Sequence, residues 1–215
     1  MIVTKTTLPG VIHFLPRRFG DHRGFFAETY SRQTYASHGV EVEFVQDNHS
    51  LSAEVGTVRG LHFQAPPHAQ GKLVRCGRGA IFDVAVDIRK GSPAYGNWVG
   101  FELSAENCAQ LYVPAGFAQG FMTLLPESEI VYKCTDYYAP EAEGAVRWDD
   151  PAIGIEWPLE VTPVLSAKDA VAPLLADIES PFTWEGRVGS FSSLEALASL
   201  VRQLCGSRLR GGKRW

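Results

Sequence analysis

The stretch IFDVAVDI, residues 81–88, alternates bulky apolar side chains at its even-numbered positions with Asp83, Ala85 and Asp87 at odd-numbered ones. A period of two is typical of a β-strand with one buried face. A second strand-like stretch, residues 72–76, comes just before it, with two glycines between them. The two stretches therefore predict a β-hairpin.

Other short strands follow at a spacing of about ten residues, and turn-forming Gly, Pro and Ser residues separate them. They are predicted over residues 98–103, 110–113, 117–124 and 129–135. A parallel sheet would need a crossover helix between successive strands, and the intervals are too short for one. The pattern predicts a mainly β protein, a β-sandwich or jelly roll.

Helical patterns lie at the flanks of the strand region, over residues 28–37 and 166–175. Residues 192–195, SSLE, have the form of a capping box, and leucines and a valine follow them at helical spacing. Six basic residues and one acidic residue occur from Arg187 onward. We therefore predict a domain over residues 1–186 and a helical, basic extension over residues 187–215. The extension is either a docked terminal helix or a contact for a partner or an anion.

The composition indicates a globular protein and excludes several classes. Of the 215 residues, 45% are hydrophobic, and the net charge of −4 argues against a general nucleic-acid binder. No apolar run reaches the roughly 18 residues of a membrane helix, and the N-terminus does not resemble a secretory signal. We expect a cytoplasmic protein whose four cysteines, none in a CxxC pair, are reduced thiols.

The histidines do not show the spacing of a metal site. His62 is followed by Phe63 and Gln64 where a metal-binding jelly roll usually has a second histidine. We therefore predict a site without a metal. Lys72 and Tyr132 lie within strand patterns, where each is either an ordinary structural residue or part of a polar site.

Several multi-residue blocks make the sequence specific, and they run almost collinearly from about residue 2 to 185. They include FGDHRGFFAE (19–28), FVQDNHS (44–50), RGLHFQ (59–64), QGKLVR (70–75), FDVAVDIRK (82–90), YKCTDYY (132–138) and LSAKDA (165–170). In these blocks the chain closely resembles the dTDP-4-dehydrorhamnose 3,5-epimerases. The resemblance implies a cupin-type jelly roll, a homodimer, no metal or redox cofactor, and a dTDP-linked 4-keto-6-deoxyhexose as substrate.

The resemblance also implies roles for four catalytic residues. His62 matches the base that removes protons next to the C4 ketone, and Asp169 matches the carboxylate that orients it. Tyr132 matches the proton donor on the opposite face of the sugar. Lys72 matches the cation near the C4 oxygen, where it stabilises an enolate.

A larger group matches positions that contact the substrate. By resemblance it comprises Arg23, Phe26, Glu28, Gln46, Asp47, Asn48, Arg59, Tyr138, Glu143 and Lys168. Phe26 and Tyr138 are candidates to stack on the base, either in one subunit or across two. Gln119 is a departure, because the family usually has histidine there and an amide cannot become a cation.

This departure leaves three functions to separate. The first is double epimerisation, which gives dTDP-4-dehydro-L-rhamnose. The second is epimerisation at C3 or C5 alone on a related nucleotide sugar. The third is a non-catalytic cupin that binds a sugar nucleotide, although His62, Tyr132 and Asp169 are all present. Stoichiometric iron in the purified protein would instead indicate a cupin oxygenase.

Overall fold

Short antiparallel strands make up most of the chain in the computed structural model, which describes residues 1–158 and 160–186. Turn residues and glycines end these strands, as the sequence pattern predicts. The strands are β1 (Ile2–Lys5), β2 (Ile12–Leu15), β3 (Arg18–Asp21), β4 (Gly24–Ala27), β5 (Gln46–Ser52), β6 (Val58–Gln64), β7 (Lys72–Arg78), β8 (Ala80–Asp87), β9 (Trp98–Ser104), β10 (Gln110–Val113), β11 (Phe117–Thr123), β12 (Ser128–Cys134) and β13 (Glu143–Ala145).

Two sheets form the sandwich. The first has the order β1-β2-β10-β7-β12-β5, and the second has the order β13-β6-β11-β8-β9. Strands β3 and β4 form a separate two-stranded hairpin. The mainly β sandwich is therefore confirmed.

The predicted hairpin of residues 72–76 and 81–88 is wrong, although both stretches are strands. β7 belongs to the first sheet and β8 to the second. Gly79 alone separates them, with a φ of +75°, and a Cβ there would overlap Ser128. This glycine lets the chain turn a corner between the sheets instead of folding back within one.

The prediction that β8 has only one buried face is also wrong. The strand is not half-buried, since all its residues except Phe82 are buried. Ile81 and Ala85 pack between the two sheets, with Leu111 of the first sheet in the same cluster. Val84 and its apolar neighbours on the other face are covered by the chain segment that follows β13. The polar-looking face of β8 therefore points into the sandwich.

The flanking helices are shorter than predicted. Helix α1 spans Arg32–Ala36 instead of residues 28–37, because Ser31 is its N-cap and accepts a bond from the Thr34 amide at 3.4 Å. The predicted helix over residues 166–175 is wrong. Only 3₁₀ turns form there, at Asp169–Val171 and Leu175–Asp177. Pro173 prevents a continuous helix because it lacks an amide hydrogen.

Each sheet has an outer face that is turned away from the core between the sheets. A different part of the chain covers each of these outer faces. Tyr35 of α1 packs with Phe14 and Leu73 on the outer face of the first sheet. The segment from Val146 to Phe182 covers the outer face of the second sheet. This second cover also delivers Asp169 to the end of the sandwich where β6 lies.

The sandwich belongs to a compact unit over Met1–Trp184. The predicted extension over residues 187–215, with its capping box and helix, lies outside the described residues. Within the described ranges, no helix combines the length and the apolar character needed to cross a membrane.

Candidate active site

A close approach of two strands in the second sheet places His62 and Gln119 side by side. These residues are register partners on β6 and β11. Next to them, a Cβ on Gly120 would lie 2.7 Å from the Arg59 carbonyl oxygen, and one on Gly60 would lie 2.7 Å from the Gly120 Cα. Only glycine fits at both positions, so this pair sets how closely β6 and β11 pack.

The first sheet contributes Lys72 and Tyr132. Lys72 alternates along β7 with the core residue Val74, and Tyr132 follows Ile130 on the inward-facing side of β12. Because side chains alternate along a strand, both polar groups point between the sheets.

These side chains line one cavity of about 420 Å³ between the sheets. That volume lies within the usual range for small-molecule sites. His62 enters from the second sheet and Tyr132 from the first, so imidazole and phenol belong to opposite walls. The lining residues are Ser50, Thr57, Val58, Arg59, His62, Lys72, Val74, Gln119, Phe121, Ile130, Tyr132, Val164, Leu165, Ser166 and Asp169.

His62 is held by a buried carboxylate. Its Nε2 lies 2.6 Å from Asp169 Oδ1, and Asp169 Oδ2 accepts a bond from the Ser166 hydroxyl at 2.8 Å. Burial on its own raises the pKa of Asp169, but the bonds from His62 and Ser166 outweigh it, so the pKa lies below the ordinary value. An ionised carboxylate can only accept, so Nε2 carries the hydrogen and Nδ1 is left to take a proton.

Burial acts in opposite directions on the two groups from the first sheet. It lowers the pKa of Lys72, while the nearby Cys134, Asp83 and Glu143 favour the charged form. It raises the pKa of Tyr132, which keeps that phenol protonated near neutral pH. The cavity therefore joins a proton acceptor, a proton donor and a cation.

A second cavity, of about 290 Å³, shares His62, Lys72 and Tyr132 with the first. It adds polar groups from β5, β13 and the loop after β12. Gln46, Asn48, Tyr138 and Glu143 lie here, with Phe63, Gln64 and Gln70. The Tyr138 hydroxyl donates to Glu143 Oε2 at 3.2 Å, and Lys168 forms an ion pair with Glu143. The bond with Lys168 overcomes the effect of burial and lowers the pKa of Glu143.

Arg59 lies at the edge of the first cavity with its guanidinium fixed in place. Its Nε donates to the Ser52 hydroxyl at 3.0 Å, and one terminal nitrogen donates to the Leu51 carbonyl at 3.1 Å. The side chain is exposed, so its remaining donors can reach a ligand that enters from solvent.

Five predicted contact residues do not line either cavity. One of them, Lys168, pairs with Glu143 of the second cavity. Asp47 lies on the opposite face of β5 and forms an ion pair with Lys133 at 2.8 Å. Glu28 is exposed and accepts a bond from the Thr34 hydroxyl. Arg23 and Phe26 belong to the β3–β4 hairpin and its turn, where Arg23 pairs with Asp21 at 2.5 Å.

Two residues at the site were not singled out from the sequence. Ser166 lies three positions before Asp169, and that spacing is the detectable sign of a local side-chain bond. Asp83 is buried behind Gln119, whose amide nitrogen donates to it at 2.5 Å. The sequence feature that could have revealed Asp83 is an acidic residue at a position that alternates with the apolar residues Ile81 and Ala85. Among the described residues, no group of three or more His, Cys, Asp or Glu side chains is arranged to hold a metal ion.

Comparison with known proteins gives the same family at every level. A family model described as dTDP-4-dehydrorhamnose 3,5-epimerase matches residues 5–177. The chain is 58% identical to the dTDP-4-dehydrorhamnose 3,5-epimerase of Salmonella typhimurium, over 81% of this chain and 96% of that protein.

Two solved structures are similar as well. One is a dTDP-6-deoxy-D-glucose-3,5-epimerase from Legionella pneumophila in complex with dTDP-4-keto-L-rhamnose. It is 45% identical with a TM-score of 0.79, over 83% of this chain and 94% of that one. The other is a 3'-monoepimerase from Streptomyces bikiniensis in complex with dTDP-quinovose. It is 35% identical with a TM-score of 0.76, over 80% of this chain and 86% of that one.

Proposed function

Because the chain belongs to the dTDP-4-dehydrorhamnose 3,5-epimerase family, we propose that it inverts C3 and C5 of dTDP-4-dehydro-6-deoxy-D-glucose. The product is dTDP-4-dehydro-L-rhamnose, and the enzyme is an isomerase. The observation that carries this conclusion is the position of His62 and Tyr132 on opposite walls of one cavity. A sugar ring between them has an acceptor on one face and a donor on the other.

The reaction begins at His62. Hydrogens on C3 and C5 are both acidic because each carbon is next to the C4 ketone. Nδ1 of His62 takes one of them, and the electron pair of the C–H bond moves to the C4 oxygen as an enolate. Asp169 stabilises the imidazolium through its bond to Nε2 at 2.6 Å.

Lys72 and Tyr132 complete each inversion. The ammonium of Lys72 stabilises the negative enolate oxygen, an interaction that is stronger in a cavity with little water. Tyr132 then donates its phenolic proton to the opposite face of the carbon, and the ketone reforms. Exchange with water returns the proton to Tyr132 and removes the one on His62, so both hydrogens come from solvent after a full cycle.

The second cavity and Arg59 suit the nucleotide part of the substrate. The guanidinium of Arg59 matches the geometry of a diphosphate. Gln46 and Asn48 offer amide groups to a pyrimidine edge, and the exposed ring of Tyr138 offers a stacking surface. The Glu143–Lys168 pair adds further polar contacts beside this surface.

A homodimer accounts for Arg23 and Phe26, which do not line the two cavities of their own chain. The β3–β4 hairpin exposes three aromatic rings, with Phe19 at 52%, Phe25 at 54% and Phe26 at 69% of full exposure. Large exposed apolar surfaces on a small protein mark contact sites. Arg23 and Phe26 then reach the substrate of a second copy, and light scattering should give twice the chain mass.

Solvent exchange tests the proposed reaction. In deuterium oxide the purified protein should place deuterium at both C3 and C5 of the thymidine-linked sugar, read by NMR. Label at one carbon alone would contradict double inversion and favour a mono-epimerase. Binding of the nucleotide sugar without any exchange would indicate a non-catalytic cupin.

Two variants separate the roles of the opposed groups. In His62→Ala, exchange at both carbons should fall by about 10²- to 10⁴-fold, because the base starts both inversions. In Tyr132→Phe, some exchange should survive while inversion is lost, since the proton returns to its original face. Full turnover in both variants would contradict the assigned roles.

A further inference from the structure

A chain of three polar side chains runs from the cavity into the core between the sheets. Lys72 Nζ donates to Gln119 Oε1 at 3.4 Å, and Gln119 Nε2 donates to Asp83 Oδ1 at 2.5 Å. The residues come from β7, β11 and β8, so the chain crosses from the first sheet to the second. Gln119 and Asp83 are both buried.

The two partners fix the orientation of the Gln119 amide. Lys72 is only a donor, and Asp83, which is ionised above about pH 7, is then only an acceptor. The opposite flip would place the amide NH₂ against the ammonium and the amide oxygen against the carboxylate. Only the observed orientation bonds at both ends, so the amide transmits the position of Asp83 to Lys72.

We propose that Gln119 and Asp83 are positioning residues for Lys72, whose ammonium they hold at the place where the enolate oxygen forms. This inference rests on the proposed function and deepens it. Gln119 positions Lys72 without carrying a charge of its own. The buried carboxylate supplies the negative charge that keeps the lysine protonated inside the sandwich.

The surroundings of Asp83 support this assignment. Its Oδ2 is the one buried side-chain oxygen or nitrogen without a hydrogen-bond partner in the part of the chain described. An unpaired buried carboxylate oxygen is costly to the fold, which favours a functional reason for it. Burial raises the pKa of Asp83 to about 7, while Gln119 and Lys72 favour its ionised form.

The titratable groups that face Lys72 and favour its charged form come from three other strands. Asp83 lies on β8, Glu143 on β13, and the Cys134 thiol on β12 is the register partner of Lys72. The cavity also holds His62 on β6, Tyr132 on β12 and Asp169 on the 3₁₀ turn. Glu143 is already paired with Lys168, so Asp83 is the acid committed to the Lys72 end of the site.

Substitution of Gln119 tests the bridge. Gln119→Leu removes both hydrogen bonds at similar volume, and kcat should fall about 10- to 100-fold with little change in KM. Gln110→Leu is the matched control. Gln110 is also a buried glutamine bonded at both ends, to Tyr35 and Thr29, and it lines neither of the two cavities that contain His62 and Lys72. The Gln110→Leu variant should be less stable than the original protein but should keep its kcat.

Gln119→His should rescue the bridge. One ring nitrogen can donate to Asp83 while the other accepts from Lys72, so kcat should stay within about threefold of the original. Gln119→Glu places a second carboxylate against Asp83, and its kcat should fall about as much as the kcat of Gln119→Leu. If Gln119→Leu kept the original kcat, the bridge would be irrelevant to catalysis.

Removal of the charge on Asp83 tests the second half of the proposal through the pH profile. A nearby anion favours a protonated lysine, so Asp83→Asn should move the alkaline fall of kcat to lower pH by about one unit or more. In a Lys72→Arg background the shift should disappear, because guanidinium does not titrate there. Asp87→Asn, on the same strand and paired with Arg89, should leave the profile unchanged.

The outcomes separate this inference from the proposed function. Deuterium exchange in the original protein, together with an unshifted profile in Asp83→Asn, would overturn the positioning role and leave the epimerase intact. A shift that persists in the Lys72→Arg background would also overturn it, since another group would then be titrating. Absence of exchange in the original protein would overturn the proposed function itself.

Discussion

Asp169 is nearly enclosed, with 4% of its side chain exposed, whereas 27% of the His62 side chain is exposed. The acid is therefore shielded from solvent and the imidazole remains accessible from the cavity. Ser166 and the Asp169 backbone amide form a local loop that fixes the carboxylate before it meets His62. At the scale of residues, the tautomer of one histidine depends on a turn that lies far from it in sequence.

The substitution Asp169→Asn should reveal this dependence. An asparagine NH₂ group facing Nε2 favours the tautomer with its hydrogen on Nδ1, which blocks the base. We expect kcat to fall about 10²- to 10⁴-fold, with KM and the unfolding temperature little changed. Ser166→Ala, which keeps the carboxylate, should lose about tenfold or less. A fully active Asp169→Asn would contradict the orientation role.

At the scale of elements, β8 places two buried acids on one face with opposite electrostatics. Burial raises the pKa of Asp83. At Asp87, bonds from Arg89 and Ser92 overcome the effect of burial and lower the pKa. The two acids of this strand therefore affect stability in opposite ways. Ionisation of Asp83 costs stability, whereas ionisation of Asp87 contributes stability.

This contrast predicts opposite pH dependences of stability. The pKa of Asp83 is higher folded than unfolded, so its ionisation costs stability as pH rises from about 4 to 7. The unfolding temperature of Asp83→Asn minus that of the original protein should therefore increase between about pH 5 and 8.

Asp87 should behave in the reverse way. Its folded pKa is depressed, so its contribution is present above the unfolded value and is lost as pH falls through the folded value. Asp87→Asn should lower the unfolding temperature near neutral pH, and the deficit should shrink toward about pH 3. Thermal unfolding followed by circular dichroism measures both differences. Parallel curves for the two variants would contradict the assignment.

The sequence located the strands from β7 to β12 but not their partners or their faces. Period-two patterns found β8 and Gln110–Val113 closely. The pattern could not tell that residues 72–76 pair with β12 instead of β8, because pairing is decided by contacts distant along the chain. It misplaced the buried face of β8 because both faces are buried, one against the first sheet and the other under the segment from Val146 to Phe182. The same pattern places Asp83 on the face opposite the bulky apolar residues, whereas the structure buries it.

At the scale of the whole molecule, the catalytic residues predicted by resemblance converge within one chain. His62, Lys72, Tyr132 and Asp169 all line the same cavity. The residues predicted to contact the nucleotide fall into two groups. Gln46, Asn48 and Tyr138 line the second cavity, whereas Arg23 and Phe26 do not. A single sequence cannot show which residues act across two copies, because pattern and spacing describe one chain only.

Subunit complementation should decide where Arg23 acts. We expect Arg23→Ala and His62→Ala homodimers to be inactive at low substrate concentration. After mixing and exchange of subunits, half the dimers contain one copy of each, and one of their two sites has both residues. Activity should recover to about a quarter of the original if Arg23 serves the partner's site. No recovery would mean that Arg23 acts within its own chain.

The position of Asp169 late in the chain has a consequence for biosynthesis. A ribosome completes every described strand, through β13, before it adds the turn that carries Asp169. A nascent polypeptide that has assembled both layers thus still contains an unoriented imidazole. Such a copy should turn over substrate slowly, as expected for Asp169→Asn, until the covering segment brings the carboxylate to the imidazole.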